Sequence, residues 1–488
     1  MAARRALGRA LLALAGLLLL AAGVSVWRAL RLQSKQPEVA AAERIVLDER
    51  ALAERLARGL RLRTVSHEDE GRFENEAFEA LLDLLEELFP RVHAHLAPER
   101  VGEGSLLFEW EGSDPSAQPV LLLAHLDVVP AEEPERWTYP PFDGVFDAEY
   151  LWGRGAMDDK GSAFALLEAL ELLLGRGAQP RRRHVFAFGQ DEEVGGERGA
   201  GALAQRLRER GERFLYALDE GGFVTEGVVA LSPAPLALIG VGEKGYLTLE
   251  LSAEGEPGHS SAPPPHTAVG RVARAVARLE DAPFAPRLTE GARGLLEFLA
   301  PELDFVERLA LANLWWSEGL LFDQFLAAPG TAATLRTSTA ATVIEGGIKS
   351  NVLPTRAHAL VNFRILTGES TASTLERARA IVDDEDVRLT ALPWAREPSP
   401  VSAVDSEGWR AVAETVCAIY PEALVAPFLM TGGTDTRHYE DLCEDVYRFL
   451  PLRVGPEDIP RFHGIDERIA LADLGDAVRF YVALLSRE

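Results

Sequence analysis

Five places in the chain gather residue types that bind cations or move protons. His125-Leu126-Asp127 follows the apolar run Pro119 to Ala124. Gly153-Arg154-Gly155-Ala156-Met157-Asp158-Asp159-Lys160-Gly161 opens a helical pattern. Asp191-Glu192-Glu193 follows F-A-F-G, Asp219-Glu220-Gly221-Gly222 ends F-L-Y-A-L, and Phe462-His463-Gly464 lies near the C-terminus. Singly, each has an ordinary explanation. An Asp can orient a histidine, a pair of Asp can cap a helix, and two Glu can sit in a solvated loop. Together, at strand ends of one sheet, they would crowd negative charge into one cleft at a large electrostatic cost. Divalent cations are the simplest remedy. Imidazole nitrogen with carboxylate oxygen is a set suited to zinc. Two histidines and three or four carboxylates suffice for two ions, one carboxylate bridging.

The elements that must position these residues follow from periodicity. Ser105–Trp110, Pro119–Ala124, His184–Gly189 and Phe214–Leu218 read as strands, the later three as short apolar runs buried on both faces. Helical spacing covers Leu47–Leu62, Asn75–Phe89 (stopped by Pro90), an amphipathic Lys160–Leu174, and Arg198–Arg210. This alternation predicts an α/β fold with a mostly parallel sheet, helices on both faces, and ligands at the carboxyl ends of the strands.

After Lys244 the texture changes. Tyr246–Ala253 alternates as a half-exposed strand, followed by a helix Thr267–Leu279, strands Ser338–Ile344 and His358–Ile365, a helix Ser370–Val382 and a strand Val387–Leu392. That is a βαββαβ order, a small α+β unit inserted into the larger one. The α/β texture resumes at Trp409–Ile419, Val425–Met430, Val446–Leu450 and Leu471–Leu485. The expected division is 47–244 and 396–488 for a catalytic domain, and 245–395 for a lid. Residues 281–336 form an extra helical insert that carries Trp315 and Trp316.

The five motifs, in this order and spacing, resemble the di-zinc metallopeptidase family of aminoacylase, glutamate carboxypeptidase and carboxypeptidase S. H-L-D-V-V-P, W-G-R-G-A-M-D-D-K-G and G-G-T-D-T-R-H-Y resemble most the carboxypeptidase S branch, which includes hydrolases of N-fatty-acyl amino acids. The resemblance implies two zinc ions. His125 and Asp219 would hold the first, Glu193 and His463 the second, with Asp158 bridging. It implies Glu192 as general base, Asp127 as the residue that orients His125, and a cis Asp158–Asp159 peptide. Gly258-His259-Ser260-Ser261 resembles the loop whose histidine stabilises the oxyanion. Asn351 and Arg364 resemble the lid residues that grip the substrate's polar end. Gly432 and Gly433 resemble a Gly-rich loop near the substrate carboxylate, and Arg437 is a candidate carboxylate clamp on chemical grounds. The lid must close to bring His259 to the metals, or a partner chain supplies it, so a homodimer is an expectation to test.

The expected reaction is hydrolysis of the amide of an N-acyl amino acid, or of the last bond of a small peptide. The alternatives are a strict dipeptidase or exopeptidase, and a zinc-containing binding protein that has lost catalysis. With 50 Lys and Arg against 76 Asp and Glu in 488 residues, the formal charge of −26 argues against nucleic acid as a partner. Two cysteines cannot make a disulfide framework or a Cys-rich metal site. Arg4, Arg5 and Arg9 precede an apolar run from Ala10 to Trp27, closed by Arg28 and Arg31. About 18 apolar residues just cross a bilayer. Residues 1–32 therefore read as a signal anchor or a cleaved signal, and 33–46 as a tether. The body is expected outside the cytoplasm, membrane-anchored or secreted.

Overall fold

The computed structural model describes residues 2–229, 232 and 234–487. Its central sheet is mixed. The strands His184–Gly189, Val120–His125, Phe214–Asp219 and Cys443–Arg448 lie side by side and parallel. Antiparallel strands flank this parallel centre, within the α/β fold expected. Ser105–Trp110 and Glu99–Val101 border one side. On the other, Leu236–Glu243 runs antiparallel to Cys443–Arg448 and parallel to Leu424–Met430.

Side chains leave these strands with a period of two. Leu122, Ala124, Phe186 and Phe188 enter a core beneath the helices Lys160–Gly175 and Leu471–Arg487. Leu121, Leu123, Val185 and Ala187 enter another core beneath Ala200–Glu209. Apolar residues on both faces are what the continuous runs encode. Each fully buried Leu or Phe contributes roughly 1.5–3 kcal/mol. The sequence suggests an amphipathic helix at Lys160–Gly175. It is instead buried on most faces, because Pro90–Leu96 and Leu471–Arg487 cover its outer side. Pro90 does not merely stop a helix: it occupies the first turn of the next one, where its missing N–H costs nothing.

The smaller sheet is antiparallel, in the order Ser338–Gly346, Arg356–Ile365, Gly245–Glu254, Val387–Ala391. The helices Ala268–Asp281 and Thr371–Val382 pack on it around a separate core that includes Leu249, Val272, Phe363 and Ala378. The chain passes between the sheets beside Lys244 and Arg396, where Tyr246 and Arg396 exchange main-chain hydrogen bonds.

Residues 281–336 are helical: Glu290–Leu299, Phe305–Leu311, Leu314–Leu326 and Pro329–Leu335. They form a small core of Ala292, Leu296, Leu321, Phe325 and Leu335, while Phe298 and Leu299 join the main core. Trp315, Trp316 and Leu320 remain exposed. The segment after the N-terminal helix makes contacts with the body. Gln36 caps the main chain of Val425 through both its oxygen and its nitrogen, Lys35 pairs with Glu297, and the Ala42 N–H reaches the Ala418 carbonyl.

A buried ion pair anchors the passage between the sheets. Arg448 Nε donates to Glu243 Oε1 at 2.7 Å, and the Thr434 and Thr436 hydroxyls donate to the same oxygen. Arg448→Met would leave Glu243 buried without its cation. It is expected to cost about 3–5 kcal/mol, read as a lowered denaturation midpoint against the unsubstituted protein.

Candidate metal centre

The carboxyl ends of the parallel strands face one edge of the sheet, and the five motifs meet there. His125 is the last residue of Val120–His125. Asp158 lies in the loop before Lys160–Gly175, joined to Asp159 by a cis peptide. Glu192 and Glu193 lie in a short turn after His184–Gly189. His463 arrives on a loop near the C-terminus in a left-handed conformation (φ 57°), which non-glycine residues seldom adopt.

Asp158 stands between the two imidazoles. His125 Nε2 is 2.9 Å from its Oδ1, and His463 Nε2 is 3.0 Å from its Oδ2. Glu193 Oε2 is 3.1 Å from His463 Nε2, and Glu220 Oε1 is 3.5 Å from His125 Nε2. Donor atoms of His125, Glu192 and Glu220 lie within 4.8 Å of one another, as do those of His125, Asp158 and Glu193. Glu193 Oε1 is buried without a hydrogen-bond partner. This donor set fits a pair of divalent cations, with Asp158 in position to touch both.

The expected ligand Asp219 is not in either group. It adjoins them: its neighbour Glu220 supplies the donor in the first group, while Asp219 is itself buried, with Oδ2 lacking a hydrogen-bond partner. The backbone leaves the sheet at this point, and the turn aims the second acid at His125.

Behind the cluster, Asp127 holds two pieces together. His125 Nδ1 faces its main-chain carbonyl at 3.1 Å and its Oδ1 at 3.3 Å. Its carboxylate accepts the N–H groups of Glu192 and Glu193 and the Ser66 hydroxyl. Arg154 and Glu467 form a second brace, fully buried. Glu467 accepts from Arg154 and from the N–H groups of Gly155, Met157 and Asp158. Arg154 also donates to the carbonyls of His463 and Gly464. One ion pair thus fastens the loops of Asp158 and His463. Gly196 closes the turn of Glu192 and Glu193 at φ 66°, and a Cβ there would meet Asp435 Oδ1 at 2.0 Å.

The electrostatics reflect the crowding. Burial, then the charge of Asp435, pushes Glu192 well above the carboxylate range. Burial, then Asp158, does the same to Glu220 and raises Glu193 to about 7. Burial also works against a charge on Asp158, but its hydrogen bonds to His125 and His463 prevail and hold it low. His463 is raised to about 10 by its hydrogen bonds to Asp158 and Glu193. Protons held this way are what cations displace on binding.

A cavity of about 520 Å³ opens beside the cluster, lined by Glu192, Glu193 and His463 from the larger sheet. Arg364, Gly432, Gly433 and Arg437 line it as well. Arg437 spends its guanidinium on the carbonyls of Gly195 and Thr434. Arg396 also lines the cavity, and no hydrogen bond of its guanidinium is found among the described residues. No motif marks it in the sequence, since it stands in the irregular stretch between the sheets. His259 and Asn351 do not line this cavity. Both are exposed, on and beside the short ribbon Gly258–His259 with Val352–Leu353, where His259 Nδ1 lies 2.8 Å from Ser261 Oγ. No residue of 281–336 lines it either.

A donor set that fits paired cations, at the carboxyl edge of a mixed sheet and beside a cavity that a second sheet shares, is the arrangement of a metallohydrolase. Residues 121–487 match the model of Peptidase family M20/M25/M40, and the chain belongs to that family. It is 37% identical over 471 residues to the probable carboxypeptidase S-like 2 of Dictyostelium discoideum, covering 94% of this chain and 90% of that one. It is 39% identical over 441 residues to the human N-fatty-acyl-amino acid synthase/hydrolase PM20D1, covering 89% and 87%. Among solved structures, an M20 family metallo-carboxypeptidase from Sulfolobus solfataricus superposes with a TM-score of 0.67 at 20% identity, covering 90% of this chain and 99% of that one. The chain is a metal-dependent hydrolase of the amidohydrolase type.

Substitutions at the acid pair separate its two members. The variant of the acid that holds metal, Asp219→Asn or Glu220→Gln, is expected to lose about one metal equivalent, and the other variant to keep both. Elemental analysis of each purified variant, loaded alike, checks this.

Proposed function

We propose that the protein hydrolyses the amide bond of N-acyl amino acids, with two zinc ions at the cluster. The observation that carries this reading is Asp158 hydrogen-bonded between His125 and His463, with Glu192, Glu193 and Glu220 around them. His125 and Glu220 would hold one ion, Glu193 and His463 the other, with Asp158 shared. Bound there, the pair would acidify a water and polarise the scissile carbonyl. Glu192 takes the proton of the attacking water and returns it to the leaving nitrogen. Its burial supports this role, since a raised carboxyl pKa suits proton transfer near neutrality. Arg396, with Arg364 across the cavity, suits the substrate carboxylate, because the arginine fork pairs two oxygens at once. His259 would stabilise the oxyanion after movement of the smaller sheet, or from a second copy of the chain.

The two relatives support the substrate class by their names, and the cavity's charged lining supports a second reading. Glu68, Glu197, Arg198 and Glu397 line it, which suits a short peptide as well as a polar acyl amino acid. A panel of N-acyl amino acids of graded chain length, run beside dipeptides, separates the two. Turnover of dipeptides alone would overturn the first reading.

The helix Ala2–Arg31 is long and apolar enough to span a membrane, and only 6% of its most apolar window is buried. We assign it as an anchor, with the arginines at its start in the cytoplasm and the body outside.

Glu192→Gln is expected to keep both metals and lose about 10²–10⁴ in turnover, the usual share of general acid–base catalysis. His259→Ala is expected to cut kcat by about 10²–10³, as removal of an oxyanion donor does, with metal content unchanged. Steady-state kinetics with elemental analysis checks both.

A further inference from the structure

The insert keeps an apolar face uncovered beside the N-terminal helix, and the contacts between them set its depth. The apolar run of that helix ends at Trp27. Two residues earlier, Ser25 is buried against the insert. Asn313 Nδ2 donates to its carbonyl at 3.0 Å, and the Trp316 indole N–H donates to its hydroxyl at 3.2 Å. Ala29, one turn on, is buried as well. With a rise of 1.5 Å per residue, Ser25 lies about 3 Å inside the end of the apolar run. With the apolar run filling the hydrocarbon layer, Asn313 and Trp316 stand near the headgroup boundary.

The exposed surface of the same insert has the composition such a boundary favours. Val306 is 73% exposed, Trp315 59% and Leu320 67%, with Phe305 and Trp316 also uncovered. Tryptophan concentrates at membrane interfaces because its ring is apolar and its N–H is polar. Glu307, Glu318 and Asp323 are exposed on the same two helices, so their attraction is to apolar lipid and not to anionic headgroups. The same face does not line the cavity beside the metal centre.

We propose that the helices Phe305–Leu311 and Leu314–Leu326 are a second membrane contact. They form a collar at the base of the N-terminal helix that seats Val306, Trp315 and Leu320 in the interface of one leaflet. The proposal rests on the anchor assignment above, and its test reads the two separately.

The full chain is reconstituted in phosphatidylcholine bilayers with a photoreactive residue, p-benzoylphenylalanine, replacing Val306 or Leu320. Leu14 in the helix and Glu385 on the smaller unit are replaced in parallel. After irradiation, peptide mass spectrometry is expected to show lipid adducts at 306 and 320 but not at 385. Adducts absent from both 306 and 320 overturn the collar, whatever Leu14 shows. An adduct at Leu14 decides the anchor alone. All four positions are exposed, so none of the replacements disturbs a core.

Discussion

Like charge crowded at one edge of a sheet is the constraint on which the rest of this structure depends. Asp158, Glu192, Glu193 and Glu220 converge on two histidines in a buried setting, which no isolated set of carboxylates would tolerate. The protein holds them by giving each loop its own buried brace. Asp127 ties His125 to the turn of Glu192 and Glu193, and Arg154 with Glu467 ties the loop of Asp158 to that of His463. Lys160, fully buried, donates to the carbonyls of Gly59 and Leu62, so its charge neighbours the cluster without neutralising any member of it. Arg154 and Lys160 are thus engaged elsewhere, which leaves these acids to the two histidines and to incoming cations.

Much of this was legible in the sequence, for a physical reason. Strands buried on both faces read as continuous apolar runs, so Val120–His125, His184–Gly189 and Phe214–Asp219 stand out, and the first polar residues after them fall at the carboxyl edge. The strand Leu236–Glu243 did not stand out, although it is buried along its whole length. Gly240 and Gly242 interrupt its apolar pattern, and Gly240 is present because Arg448 and Met430 pack against its backbone. That is a tertiary cause, invisible to local periodicity. The pair Asp219-Glu220 shows a finer limit. Which of two adjacent acids faces the cleft depends on how the backbone turns after the last ladder bond. Arg396 is a third case, since nothing in its neighbourhood repeats.

The two sheets divide the work at the cavity. The larger supplies acids and histidines. The smaller contributes Tyr246 and Arg364, stacked with the guanidinium 4.7 Å from the ring centroid. Arg396 sits where the chain crosses back. Under the proposed function, proton transfer falls to the edge of the larger sheet, and recognition of the substrate's far end to a unit with its own core.

That crossing also bears on how the chain assembles. Leu236–Glu243 must pair with Leu424–Met430, yet the whole smaller unit and the insert lie between them in sequence. Closing a flexible loop costs about 0.6 kcal/mol more for each doubling of its length. Once the smaller sheet forms on its own core, Tyr246 and Arg396 are hydrogen-bonded together, and the long intervening stretch no longer counts as open loop. The order this favours is inside-out. The inserted unit folds first, its two ends emerge side by side, and the last strands of the larger sheet then join over a short gap.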